Sequence, residues 1–434
     1  MTKENNDYET IVSWMFLQIP MYQRTGKAAY KIDLEKTHRI DEYFSEPHKS
    51  YKTIHVAGTN GKGSVSHTLA SILQEAGYRV GLYTSPHMKD FRERIRVNGE
   101  MISEHYVTRF IKGNQRFFEE IKPSFFEMSV AMAFNFFEDQ QVDVAVVEVG
   151  MGGRLDSTNI IYPEVSIITN IGLDHTAFLG NYLYSIAQEK AGIIKRNIPV
   201  VIGESHPETK PVFREKAEHV KTSIFFADEN YILEPSVIFD PLKNSFKVFD
   251  KKTDQYLYEL TTDLLGAYQR KNLATVLKAL DLLKDNFLLN EKDVQKGLSK
   301  VKTNTGFLGR WQVLETSPLI LCDTAHNAEG VKTNMEQLEK MDYQNLHFVL
   351  GFVNDKNIEN VLSLFPGNAH FYFTKADIPR ALDENKLRKQ ATNAGLSGNT
   401  YPTTEEALNA AKKAASPNDM IYVGGSTFVV SEVI

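Results

Sequence analysis

Short apolar runs alternate with longer stretches in which apolar residues return every three to four positions, the pattern of a parallel sheet covered by helices. The clearest runs cover 53–57, 142–149, 165–171 and 199–202. In the second of these, Val142, Val144, Val146, Val147 and Val149 leave almost no polar face. A strand buried on both sides has that composition, so this one is expected in the middle of its sheet. After Gly63, the residues Val65, Leu69, Ile72, Leu73 and Ala76 keep a helical period that stops at Gly77, a natural C′ residue. The order is strand, glycine turn, helix.

From about 223 to 260, Ile, Phe, Val and Tyr alternate with polar residues and predict small antiparallel strands; from 266 to 283 the helical period returns. Thr, Asn and Gly cluster over 302–309 as in an interdomain linker. A second α/β pattern follows, with strands at 319–323, 346–352, 370–374 and 420–424 and helices opening at Asn327 and Ala381. A chain of 434 residues is long enough for two cores. The expected architecture is α/β: a P-loop-type, mostly parallel sheet with helices on both faces in a domain over 1–301, and a smaller Rossmann-like α/β domain over 308–434. A cleft is expected between them.

Charge and cysteine content narrow the classes of function. Lys and Arg total 49 against 55 Asp and Glu, a formal charge of -6, so there is no basic footprint for nucleic acid or an anionic membrane. The single cysteine, Cys322, cannot form an internal disulfide or a thiolate metal site, and its place on an apolar run reads as packing. The opening MTKENNDYET has no apolar stretch of signal-peptide type, and no run reaches the roughly 18 apolar residues of a membrane span. A cytoplasmic protein acting on small molecules is expected.

The loop GTNGKGS at 58–64 carries the first chemistry. Gly58, Gly61 and Gly63 allow a tight turn whose amides face phosphate oxygens, and the helix that follows adds positive potential. Lys62 would reach the β and γ phosphates, and the Ser64 hydroxyl would lie near metal or phosphate. The strict P-loop pattern is not met: Val56 stands at its first glycine and Gly63 separates Lys62 from Ser64. Glu148 closes the most hydrophobic strand and is followed by GMGGRLD at 150–156. A carboxylate there is costly to bury without a cation, and magnesium is the expected one. Asp174 and His175 reach the same rim, where His175 reads on residue type first as a capping or core histidine and second as a ligand. Lys190 falls on the apolar face of a helix with Leu183, Ile186, Ala187 and Ile194. It either snorkels to water or, near metal, is carbamylated to an anion. Asp323 and His326 follow a short apolar strand at its carboxyl end, a place for a substrate or nucleotide hydroxyl, and Asn327 reads as an N-cap.

These motifs resemble one family. GTNGKGS, YTSPH at 83–87, EVGMGGRLDSTN at 148–159, NIGLDHTAFLG at 170–180, EKAGIIK at 189–195, GRWQ at 309–312 and DTAHN at 323–327 occur in the order and spacing of the dihydrofolate synthase/folylpolyglutamate synthases, a branch of the Mur ligases. The resemblance runs from about Asp33 to the C-terminus. It implies that ATP phosphorylates a substrate carboxylate and that L-glutamate's amine attacks the acyl phosphate. The substrate is dihydropteroate, a reduced folate or both. It implies Lys62, Lys190 and His326 as catalytic residues, Asn60, Gly61, Lys62, Gly63, Ser64, Asn272, Arg310 and Asp323 at ATP, and Ser85, Glu148 and His175 at Mg2+. By the same resemblance Asp33, Phe126, Leu155, Asp156 and Ser157 meet the folate, His326 and Ser426 meet glutamate, and Lys190 is the carbamylated lysine. Lys36, Thr37 and His38 replace the family's glutamate-arginine context near Asp33. Domain closure is implied to complete the ATP site, and a monomer is implied.

Two other readings share parts of the pattern. A Mur-type peptidoglycan precursor ligase has the same loop and mechanism but carries an additional N-terminal domain, for which the stretch before Gly58 is short. A regulatory ATPase needs the glycine loop alone, and residues set for a second substrate argue against it.

Overall fold

The computed structural model describes residues 3–18, 33–236, 240–354 and 358–434. Its first sheet contains β1 (Lys52–Ala57), β2 (Val80–Tyr83), β3 (Ile95–Val97), β4 (Glu100–Met101), β5 (Val144–Glu148), β6 (Val165–Ile168), β7 (Val200–Ile202) and β8 (Ile224–Phe226). They lie in the order β4-β3-β2-β5-β1-β6-β7-β8. All pairs from β2 to β8 are parallel, and β3 and β4 add an antiparallel edge. The valine-rich run forms β5, buried along its whole length between β2 and β1, as its composition predicts. The segment near 224 departs from the expectation of small antiparallel strands, because β8 extends the parallel sheet beside β7.

Both faces of this sheet are covered. Ile54 and Val56 of β1 and Val144 and Val146 of β5 share a core with Val65, Leu69 and Leu73 of helix Lys62–Glu75 and with Leu273, Val276 and Leu280 of helix Gln269–Leu283. Ala145 and Val147 point the other way, into a core built on helix Phe125–Asp139. That alternation is the two-residue period of a strand expressed on two buried faces.

β9 (Tyr231–Pro235), β10 (Asn244–Asp250) and β11 (Tyr256–Thr262) form a separate three-stranded sheet. β12 (Gln312–Thr316), β13 (Leu319–Cys322), β14 (Leu346–Leu350), β15 (His370–Phe373), β16 (Gly398–Thr400) and β17 (Met420–Gly424) form the last, in the order β12-β13-β17-β14-β15-β16. β12 runs antiparallel to β13 and the remaining pairs are parallel. The helix expected from Ala381 begins at Glu384, where Asp383 accepts amide hydrogen bonds as its N-cap.

The chain forms two compact units, one from the described residues of 1–234, 246–261 and 270–306, the other from those of 235–245, 262–269 and 307–434. The stretch expected as a linker is helical over Val301–Thr305, Gly306 ends it at φ 66°, and the division falls directly after that glycine. Two short earlier segments, 235–245 and 262–269, also belong to the second unit, which a single break in the sequence does not anticipate. Among the described residues no helix is long and apolar enough to cross a membrane.

Candidate active site

The parallel register brings four strand ends to one rim. Tyr83 lies beside Val147, Val56 beside Glu148, and Ala57 beside Ile168. The chain passes from β1 to one side and from β6 to the other, and such a reversal is where open α/β sheets bind ligands.

The loop after β1 is shaped by close approach. A Cβ on Gly58 would stand 1.8 Å from Thr169 Oγ1. One on Gly61, whose φ is +85°, would stand 2.2 Å from Asn272 Oδ1. Thr59 N donates to Asn170 O at 3.0 Å. Asn60 N donates to Asn170 Oδ1 at 2.8 Å, and Thr169 Oγ1 donates to the Asn60 carbonyl at 2.5 Å. The amides of Thr59 and Asn60 are thus committed to the strand next door. A phosphate brought here would meet the N-terminus of the 14-residue helix that begins at Lys62. Thr169 and Asn170 were not singled out in the sequence; two polar residues closing an apolar run on this rim are the signal that marks them.

Lys62 Nζ donates to the carbonyls of Gly58 and Thr59 at 3.0 and 3.2 Å. Lys190 Nζ donates to Gly58 O at 2.8 Å from the end of helix Leu183–Lys190. Lys190 is buried, at 4% exposure, so it does not snorkel. Burial first, and then the positive charge of Lys62, lower its pKa to about 7 against the opposing pull of Asp174 and Asp156. A small recess is lined by Gly58, Lys62, Gly150, Asp174, His175 and Lys190 among others. His175 is neither core nor side-chain cap. Its side chain is 47% exposed, its backbone is left-handed at φ 50°, and it makes no side-chain cap bond to the short helix it precedes.

Glu148 is buried at the end of β5. A protein cation already stands in its field. Burial lowers the pKa of buried Arg94, with Tyr83, Glu148 and Glu93 acting against that shift, and Arg94 Nε donates to His87 Nδ1 at 2.8 Å. Ser85 is half-buried two residues past β2. No group of three or more His, Cys, Asp or Glu among the described residues could hold a metal by itself. One buried carboxylate with hydroxyls on the rim of a phosphate loop fits magnesium, which takes few protein ligands and the rest from phosphate and water.

The loop 150–153 is tied down by Asp156. Its Oδ2 accepts from Gly150 N and Met151 N, both at 3.0 Å. Its Oδ1 accepts from Thr158 N at 3.0 Å and Thr158 Oγ1 at 2.5 Å. Phe126, in the first turn of its helix, lies against this loop, for a Cβ on Gly150 would come 2.5 Å from Phe126 Cζ. Leu155 is half-buried and Ser157 buried. Asp33 is exposed and accepts from Glu35 N at 3.0 Å at the start of helix Glu35–Tyr43, and it does not line the recess.

In the second unit Asp323 is buried and fully engaged. Its Oδ2 accepts from Trp311 N and Tyr268 Oη, both at 2.7 Å, and its Oδ1 from Ala325 N at 2.8 Å. The Arg310 guanidinium lies 5.9 Å from the Phe307 ring centroid. His326 is half-buried, with Nδ1 2.9 Å from Thr324 O. Asn327 caps helix Ala328–Leu338 through Gly330 N, as expected, and Cys322 is buried. Ser426 Oγ is an N-cap, accepting from Val429 N at 3.2 Å.

The Mur ligase middle-domain model matches residues 56–280, and the model for the Mur ligase glutamate ligase domain matches 309–427. The dihydrofolate synthase/folylpolyglutamate synthase of Bacillus subtilis is 33% identical over 420 residues, 94% of this chain and 95% of that one. A probable bifunctional folylpolyglutamate synthase/dihydropteroate synthase of Haloferax volcanii is 33% identical over 92% of this chain, which spans 47% of that longer protein. The crystal structure of the bifunctional folylpolyglutamate synthase/dihydrofolate synthase of Yersinia pestis, complexed with AMPPNP and Mn ion, has a TM-score of 0.83 and 27% identity, covering 98% of this chain and 97% of that one. With both Mur ligase models matched in order along one chain, and a relative at 33% identity covered nearly from end to end, the protein belongs to the dihydrofolate synthase/folylpolyglutamate synthase family of Mur ligases.

Proposed function

We propose that the chain is an ATP-dependent ligase that joins L-glutamate to dihydropteroate and to reduced folates, acting as a cytoplasmic monomer. The observation that carries this reading is the convergence of Lys62 and Lys190 on the Gly58 carbonyl, beside the glycine loop at 150–153. ATP and a divalent cation fit the rim, and a solved relative holds AMPPNP and Mn.

The first step moves a phosphoryl group. A carboxylate oxygen of the folate substrate attacks the γ-phosphorus as the bond to ADP breaks, which gives an acyl phosphate. Lys62, by turning from the carbonyls of its own loop, meets the charge that develops on the phosphoryl oxygens. Magnesium, when bound at Glu148, Ser85 and His175, neutralises phosphate and carboxylate oxygens. The glutamate amine then attacks the acyl carbon, phosphate leaves, and the nitrogen loses a proton. Asn60 to Ser64, Asn272, Arg310 and Asp323 serve the nucleotide. His326 and Ser426 serve glutamate, and His326 takes the amine proton. Phe126, Leu155, Asp156, Ser157 and Asp33 serve the folate. Lys190, with a pKa of about 7, offers a neutral amine near neutral pH. Carbamylation forms an N–C bond with CO2, releases one proton and leaves an anion beside Lys62.

Dihydropteroate and tetrahydrofolate, offered in parallel with ATP, magnesium and glutamate, test the reading. A product heavier by one glutamyl residue from either is expected. Unchanged masses for both would overturn it.

A further inference from the structure

A strand buried on both faces takes apolar residues, and β1 is apolar over Ile54, Val56 and Ala57, but among them His55 is wholly buried. Its Nε2 lies 2.9 Å from Thr158 Oγ1. That hydroxyl has one proton, and Asp156 Oδ1 takes it at 2.5 Å. His55 Nε2 must therefore donate to Thr158, which fixes the neutral Nε2–H tautomer. Burial, helped by the charge of Lys195, holds the imidazole well below its ordinary pKa, in agreement with the neutral form. Nδ1 is left as a buried acceptor with no hydrogen-bond partner.

An apolar side chain of similar size would fill this place without an unpaired nitrogen. What the histidine adds is a donor at the start of a chain of bonds. From His55 the chain runs to Thr158, then to the Asp156 carboxylate, and from its other oxygen to the amides of Gly150 and Met151. Those two residues line the recess that also holds Lys62 and Lys190. Lys195 Nζ bonds the carbonyls of Asn159 and Ile161, which fixes the segment that carries Thr158.

We propose that His55 is a positioning residue of the ligase: as an Nε2–H donor it orients Thr158, which orients Asp156, which sets the 150–151 backbone against the reacting groups. The catalytic part of this statement rests on the ligase reading, and the positioning part does not. The relay is structural in its means but not interchangeable with packing, because a donor at the Nε2 position is what it needs.

Three variants test it: His55→Gln, whose amide nitrogen reproduces the Nε2 donor, His55→Met, which fills the volume without a donor, and Thr158→Val, which removes the middle of the chain. Hydrogen exchange of the 149–153 backbone is measured with no substrate present. Faster exchange is expected in His55→Met and Thr158→Val, and near wild-type exchange in His55→Gln. In steady-state assays kcat/KM for the folate substrate is expected to fall on the order of tenfold in His55→Met with ADP affinity within about twofold, and to be largely kept in His55→Gln. The double variant His55→Met/Thr158→Val is expected to lose no more than either single change, since both break one chain. Equal behaviour of the Gln and Met variants in exchange, or losses that multiply in the double variant, would overturn the proposal. A wild-type chain without ligase activity would overturn the function above, while the exchange result would still decide the relay.

Discussion

Lys62 and Lys190 donate to one oxygen atom, the carbonyl of Gly58, at 3.0 and 2.8 Å. Two ammonium groups on one acceptor repel each other, and each carries a different consequence. Lys62 remains half-exposed at the head of a helix, ready to exchange its carbonyls for phosphate oxygens. Lys190 is buried, and the cheaper response to its position is loss of the proton.

Lys62→Ala should abolish amide formation. In the proposed reaction the lost contact is made most strongly in the transition state, and such groups contribute about 3 kcal/mol or more. Single-turnover phosphoryl transfer checks this, with folding confirmed by the thermal transition. Turnover near wild type would show that the loop does not handle the γ-phosphoryl group.

Lys190→Ala should be inactive and partly rescued by short carboxylates, because an added anion can stand where the proposed carbamate would stand. An active variant that gains nothing from formate or acetate would mean that Lys190 is only a strut for Gly58.

The depressed pKa of Lys190 also predicts a pH dependence of stability. Below about 7 the folded and unfolded chains both hold the proton and the cost of burying the charge is fully present. Between about 7 and 10.5 the unfolded chain holds the proton that the folded chain has released, so stability rises with pH through that window. In CO2-free buffer Lys190→Met should therefore be more stable relative to wild type at pH 6 than at pH 10. Denaturant titrations at the two values measure the difference, and a constant gap would contradict the assignment.

Gly61→Ala should lose nucleotide affinity by tenfold or more, since φ is +85° and the added Cβ would meet Asn272 Oδ1 at 2.2 Å. Asn272→Ala in the same chain should restore only part of it, because the backbone strain persists. Calorimetric titration with ADP distinguishes the two contributions.

Tyr268→Phe removes one of three donors from buried Asp323. A hydrogen bond to a charged group contributes about 1.5–3 kcal/mol, so the second unit should melt earlier by that measure. An unchanged transition would mean that Asp323 is held by Trp311 N and Ala325 N alone.

Much of this was legible in the residues. The valines of β5, the helix from Lys62 to Glu75 and the strand ends at Ala57 and Glu148 follow from periodicity, because a sheet covered on both faces admits little else. β8 was misplaced because Ile224–Phe226 is too short to show whether its neighbour runs parallel. β12 was missed because Gln312–Thr316 mixes polar and apolar residues on a sheet edge, where one side is wet. The fate of Lys190 could not be read from its helix face, since burial or snorkelling depends on what packs above it. The ties of Thr169 and Asn170 to the loop after β1 join segments far apart in the chain, and spacing alone gives no sign of them.

The most direct test follows phosphate release from ATP by the purified chain while the folate substrate and L-glutamate are withheld or supplied in turn. Release is expected to be slow with either substrate missing and to match amide formation one for one when both are present. Release at the same rate regardless of either substrate would contradict the account.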